Sequence, residues 1–299
     1  MHTDNNMVGL HASFTYNRTP MNSTIASKIN SVKVLTFSPT GTSRKIAETI
    51  AQGVDINNVS LIDITREEEP ELTFSEEDLV IVAMPVYGGH VAPVALKRIQ
   101  NVKGCGALAV AVVVYGNRHY ENALNELAAF LDDRNFCVIA AGTFIGEHSY
   151  STPETPIAVG RPDENDLQFA KAFGKKISDK LSSKEFDKPV QTELIEQPFQ
   201  DTNVMNKFKS TIQEWMKQGV QMPKCPSLDI SLCQDCKMCV KLCPTNAIDP
   251  LTLDTDSEKC IKCCACVKGC VFHARFMPTP FAPLISENFS VQKENKILL

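Results

Sequence analysis

Nine of the twelve cysteines lie between Cys233 and Cys270. Cys233, Cys236, Cys239 and Cys243 are separated by two, two and three residues, and Pro244 follows. Cys260, Cys263, Cys266 and Cys270 repeat that spacing. Three thiolates at two-residue gaps wrap one face of an iron–sulfur cube, and the fourth cysteine crosses to the other cube. The spacing therefore predicts two 4Fe–4S clusters. Cluster one takes Cys233, Cys236, Cys239 and Cys270, and cluster two takes Cys260, Cys263, Cys266 and Cys243. Structural zinc sites pair their cysteines and put a dozen or more residues between pairs, which this pattern does not do. Cys264 is left over as a spare thiol, and Val271 stands where the first run has proline.

A second group of residues could hold a phosphate. Ser38-Pro39-Thr40-Gly41-Thr42-Ser43 places four hydroxyls and a glycine directly before a helical pattern. Amides at a helix N-terminus favour an anion, and the hydroxyls add donors. The loop contains no lysine or arginine before Arg44, which suits a monophosphate held by neutral groups. The alternative is an ordinary helix cap made by a hydroxyl. Two further loops, Met84-Pro85-Val86-Tyr87-Gly88-Gly89-His90 and Tyr115-Gly116-Asn117-Arg118-His119-Tyr120, set aromatics beside glycine. Aromatic faces over exposed amides suit a planar flavin ring. His90, His119, Glu147 and His148 are the titratable groups near these loops.

The elements that position these loops alternate. Strand patterns at Lys33–Phe37, Val59–Ile62, Leu79–Ala83, Ala107–Tyr115 and Phe136–Gly142 are separated by helical patterns at Thr42–Gly53, Pro93–Ile99 and Tyr120–Leu131. A closing helix is read at Asp163–Leu181. Apolar strands alternating with helices predict a parallel sheet covered on both faces, with ligands beyond the strands' carboxyl ends. Gly104-Cys105-Gly106 with Ala109 imitates a dinucleotide fingerprint, but a strand rather than a helix follows it.

Residues 31–184 resemble flavodoxin through the phosphate loop and the two ring loops. The resemblance implies an α/β fold with a doubly wound five-stranded parallel sheet of order 2-1-3-4-5, and bound FMN. Ser38, Thr40, Gly41, Thr42 and Ser43 would then hold the FMN phosphate. Tyr87 would cover one ring face, with Tyr120 as candidate for the other. Pro85, Gly88, Gly116 and Asn117 would lie at the ring. Residues 223–299 contain a segment similar to bacterial ferredoxins with two 4Fe–4S clusters, a small α+β domain. Between the two, residues 185–222 read as a linker and an amphipathic helix carrying Val204, Phe208, Ile212, Trp215 and Met216 on one face. Residues 1–30 read as an extension without the cationic and apolar regions of a secretory leader, so a cytoplasmic location is expected.

Together the halves resemble the flavodoxin–ferredoxin fusions of anaerobic prokaryotes. That resemblance implies an electron-transfer protein with redox proteins as partners. The alternatives are an oxidoreductase reducing a small two-electron acceptor, and a redox sensor. Composition narrows the field in the same direction. At 299 residues the chain has room for about two domains. Its net charge of −5, with no basic segment, argues against nucleic acid. Its longest aliphatic run, Ala107–Val114, falls short of the ~18 residues a membrane span needs.

Overall fold

The computed structural model describes residues 29–67, 70–183, 189–198 and 201–299. The expected N-terminal extension falls almost wholly outside them, as do residue 184 and residues 185–188 and 199–200 of the expected linker.

The first half alternates as its apolar pattern requires. It runs β1 (Ser31–Thr36), α1 (Thr42–Gly53), β2 (Val59–Asp63), β3 (Asp78–Tyr87), β4 (His90–Val91), α2 (Pro93–Arg98), β5 (Leu108–Tyr115), α3 (Ala123–Asp132), β6 (Cys137–Ile145) and α4 (Glu164–Ser183). The parallel strands lie in the order β2-β1-β3-β5-β6, with the two-residue β4 folded back as a hairpin on β3. This is the expected 2-1-3-4-5 arrangement. Strand residues alternate between two cores. Leu79, Ile81 and Ala83 of β3 pack with Ile46, Ile50, Phe173 and Ile177 of α1 and α4. Val80, Val82 and Met84 pack with Ala95, Leu124, Leu127 and Leu131 of α2 and α3. Burial on both faces explains why these strands read as continuous apolar runs. Gly53 and Gly174 let α1 and α4 cross closely: a Cβ on either would come within 2.0 Å of a backbone oxygen of the other helix.

Next comes α5 (Thr202–Lys217), capped by the Asp201 carboxylate, which accepts from the amides of Asn203 and Val204. The cysteine-rich segment holds β7 (Ser227–Leu228), α6 (Met238–Leu242), α7 (Ala265–Lys268) and β8 (Arg275–Phe276). Antiparallel pairing of β7 with β8 closes the segment. Its internal repeat is visible in the backbone. Lys237 and Cys264, both left-handed at φ 58°, precede α6 and α7 at equivalent positions. The spare Cys264 is thus the repeat counterpart of Lys237, buried, with its thiol donating to the Lys262 carbonyl at 3.6 Å.

The tail forms α8 (Phe281–Asn288) and then β9 (Lys296–Leu298), which adds antiparallel to β6 at the sheet edge. The apolar face of α5 packs on α8: Phe208 meets Phe289 edge-on, and Trp215 meets Phe281. No helix among the described residues is long and apolar enough to cross a membrane.

Candidate functional site

A cleft of about 560 Å³ lies at the carboxyl ends of β1, β3, β5 and β6. At one end is the turn between β1 and α1. Gly41, at φ 83°, precedes the helix and offers no side-chain cap. Ser38 supplies one from a distance, its Oγ accepting from the Arg44 amide at 3.1 Å. The capping role therefore holds for Ser38. The amides of Thr40, Thr42 and Ser43 find no acceptor among the described residues, and these residues line the cleft beside their hydroxyls. Unsatisfied amides at a helix N-terminus form an anion cradle, and Gly41 shapes the turn without lining the cleft.

Pro85, Tyr87, Gly88 and Gly116 line the cleft's middle. Gly88, at φ 63°, has open space where a Cβ would be. At Gly116 a Cβ would lie 2.4 Å from His148, so only glycine fits. The Tyr115 hydroxyl is buried without a partner among the described residues, and Tyr115 lines the cleft. A polar atom left this way inside a preformed cleft fits a bound polar ligand. The donor set and the shape of the cleft therefore suit a phosphate-bearing planar group.

Two residues expected at the ring stand elsewhere. Asn117 is buried, but its amide ties down the tail: Nδ2 donates to the carbonyls of Phe289 (2.7 Å) and Val291 (3.0 Å), and Oδ1 accepts from the Lys293 amide (2.8 Å). Tyr120 packs edge-on against Tyr115 in the sheet core, 5.4 Å between centroids, and does not line the cleft. The reason is that α3 begins at Ala123, so Tyr120 sits in the turn before it and points inward. His90 pairs with Glu126 outside the cleft, and His119 accepts from the Glu121 amide and also stays outside.

The sequence reading missed most of the loop after β6. Glu147, His148, Ser149 and Tyr150 all line the cleft. Their placement follows from the rule that put the other loops there, since β6 is also a parallel strand. Burial, then the nearby Arg118 and Lys268 charges, press the His148 imidazole down to about 4. Its Nδ1 accepts from the Tyr150 amide at 3.0 Å, as a neutral imidazole does.

The far wall comes from elsewhere in the chain: Phe208 and Ile212 of α5, Phe281 and Ile285 of α8, and Ile261 and Lys262 from the cysteine-rich segment. The cysteines themselves divide into two groups. Cys233, Cys236, Cys239 and Cys270 line one small cavity. Cys243, Cys260, Cys263 and Cys266 line a second, with Cys264 beside them. None of these cysteines is in a disulfide. No three His, Cys, Asp or Glu side chains among the described residues converge on a single-ion site. Burial pushes the Cys263 thiol up to about 11 and Cys266 up to about 12. Coordination of these sulfurs would have to remove that proton.

Two latches join the halves. The buried Arg98 donates through Nη1 to the carbonyls of Ile64 (2.8 Å) and Thr65, and through Nη2 to the carbonyl of Pro244, next to Cys243. Lys268 of α7 donates to Glu147 at 2.7 Å and to the Ser151 carbonyl at 2.8 Å.

Residues 33–134 match the flavodoxin domain family, and residues 226–249 match the 4Fe-4S binding domain family. The chain thus joins a flavodoxin domain to a 4Fe-4S binding domain, the composition of a flavodoxin–ferredoxin fusion. A flavodoxin domain implies a flavin and a 4Fe-4S domain implies a cluster, so the fusion is an electron-transfer flavin and iron–sulfur protein. Among solved structures the fusion is similar to a flavodoxin from the domain Archaea at 16% identity, covering 51% of this chain and 99% of that one, TM-score 0.35. It is also similar to the rubredoxin oxygen:oxidoreductase from Desulfovibrio gigas at 17% identity, covering 54% and 39%, TM-score 0.36. No curated protein matches the fusion significantly.

Proposed function

We propose that this fusion carries electrons between two 4Fe–4S clusters and one FMN within a single chain, and exchanges them with redox partner proteins. When bound, FMN exchanges one or two electrons and each cluster exchanges one. The observation that carries this reading is the Cys260–Cys263 loop. Cys260 and Cys263 belong to the cluster-two thiol set, and the two residues between them, Ile261 and Lys262, form a wall of the cleft. The gap between ligands is thus the boundary between the two cofactor sites. Cluster two would then lie on the cleft side, and cluster one, whose cavity shares no residue with the cleft, on the far side.

The chain's residues supply position and shielding. Thr40, Thr42 and Ser43 would hold the phosphate by amide and hydroxyl donors. Tyr87 would cover the ring, and its burial together with the nearby Cys263 and Cys264 holds its hydroxyl protonated. Phe208, Ile212, Phe281 and Ile285 exclude water from the far side. Arg98 and Lys268 fix the separation between the cofactor sites, the quantity on which electron exchange depends.

The test is an oxygen-free preparation in which iron, sulfide and flavin are quantified together. Eight iron and one FMN per chain support the reading. Flavin that stays oxidised while the clusters are reduced overturns it.

A further inference from the structure

The cysteine-rich segment buries an arginine beside one thiol set. Arg275 on β8 is 3% exposed. Its Nη1 donates to Thr255 Oγ1 at 2.8 Å, and its Nη2 donates to the Leu253 carbonyl and reaches Cys239 Sγ at 3.8 Å. Its Nε is buried with no acceptor among the described residues. No carboxylate among the described residues forms an ion pair with it, whereas Arg161, similarly enclosed, is paired with Asp166. Taking a guanidinium out of water without a counter-ion is strongly unfavourable. The protein retains it, so its counter-ion belongs to the site it faces.

That site is the cavity of Cys233, Cys236, Cys239 and Cys270, which Arg275 lines. Four thiolates around a 4Fe–4S cube leave a net negative charge, larger by one after the cube takes an electron. The second cavity differs. Its lining of Pro226, Pro244, Thr245, Ala247, Ile248, Thr255, Ile261 and five cysteines contains no cationic side chain. The near-repeat in sequence is therefore uneven in charge: Arg275 lines the first cavity and reaches the Cys239 sulfur, whereas on the second set it acts on Cys266 only at longer range and Arg98 binds the Pro244 carbonyl without lining the cavity.

We propose that Arg275 is the built-in counter-charge of cluster one, stabilising its reduced state and setting its potential above that of cluster two. The inference rests on the two-cluster reading above. An added electron would then be favoured at the site beside Arg275, where Cys236 is exposed at the protein surface. Hydrogen bonds and charge near cluster sulfurs are established levers on cluster potential.

The experiment is an oxygen-free reductive titration of the full chain followed by electron paramagnetic resonance, with iron counted on the same samples. Wild-type protein with eight iron shows two midpoints. Fewer than eight iron in the wild type refutes the two-cluster reading, not the role of Arg275. In Arg275→Gln with eight iron, the higher midpoint falls, by at least about tenfold in the reduced-to-oxidised ratio, and the lower one stays. Two unchanged midpoints overturn the proposal. If Arg275→Gln fails to hold eight iron, Arg275→Lys decides. Full iron with the higher midpoint kept supports the counter-charge. Loss of iron in Arg275→Lys as well shows that the residue is a brace for Leu253 and Thr255, and overturns it.

Discussion

Lys268 Nζ lies 2.7 Å from Glu147 Oε1, a contact between residues 121 positions apart that joins the helix carrying Cys266 to the flavin cleft. Burial raises the Glu147 carboxyl, but the Lys268 ammonium, the Gly160 amide and the Lys268 charge outweigh it and hold the group below its ordinary 4.5. A carboxyl depressed in the folded state adds stability above its unfolded pKa and loses it as pH falls through the folded value. Lys268→Met therefore costs about 1–2 kcal/mol near neutral pH. The difference from wild type shrinks below pH 4.5. Denaturant unfolding of the apoprotein at several pH values checks both. In the loaded protein the same change slows flavin reduction by the clusters, measured by stopped flow.

Arg98 makes the other latch, and it is fully enclosed. Arg98→Met leaves the carbonyls of Ile64, Thr65 and Pro244 without this donor, inside the protein. Unpaired buried acceptors cost about 1–3 kcal/mol each, so a loss of about 3 kcal/mol or more is expected. It appears as a lower midpoint in urea. A loss below about 1 kcal/mol would show that water reaches these carbonyls and that the halves are not clamped there.

The flavin cleft separates phosphate from ring contributions. Thr42→Val with Ser43→Ala removes two hydroxyls and leaves the amides, so FMN binding weakens by about tenfold to a hundredfold. Riboflavin, which has no phosphate, binds both proteins equally. Tyr87→Ala weakens FMN and riboflavin alike, because it strips the ring cover, while Tyr87→Phe leaves both near wild type. Fluorescence quenching titrations of the apoprotein distinguish the two patterns. Iron content is unchanged in every variant.

What the sequence made readable was local. The thiol spacing of Cys233–Cys243 and Cys260–Cys270 agrees with the way the thiols group around two cavities, each completed by one cysteine from the other run. The alternating cores of β3 and β5 were legible because period-two burial on both faces leaves a continuous apolar run. The misreadings lie where distant chain decides. Asn117 looked like a ring contact, yet it accepts and donates to residues more than 170 positions later. The three residues of β9 are too few to show a period, and their strand exists only because β6 offers an open edge. Arg98 and Arg275 carry no local mark of burial. Their partners come from other segments, and in sequence they look like any surface cation.

His148 decides between a carrier and an enzyme that protonates its flavin. Its imidazole is held down at about 4 by burial and by the Arg118 and Lys268 charges. A base depressed in the folded state stays neutral there while the unfolded chain takes up a proton near 6.5, so folding loses stability as pH falls from 6.5 toward 4. The loss reaches at most about 2–3 kcal/mol. His148→Gln removes this component, so the wild-type minus variant stability difference falls from pH 7 to pH 5. An imidazole held neutral between pH 6 and 8 carries no proton to give to a reduced ring. The flavin midpoint of His148→Gln therefore keeps the wild-type pH slope across that range. A slope that changes on substitution would assign His148 to proton delivery and favour reduction of a small two-electron acceptor over electron carriage.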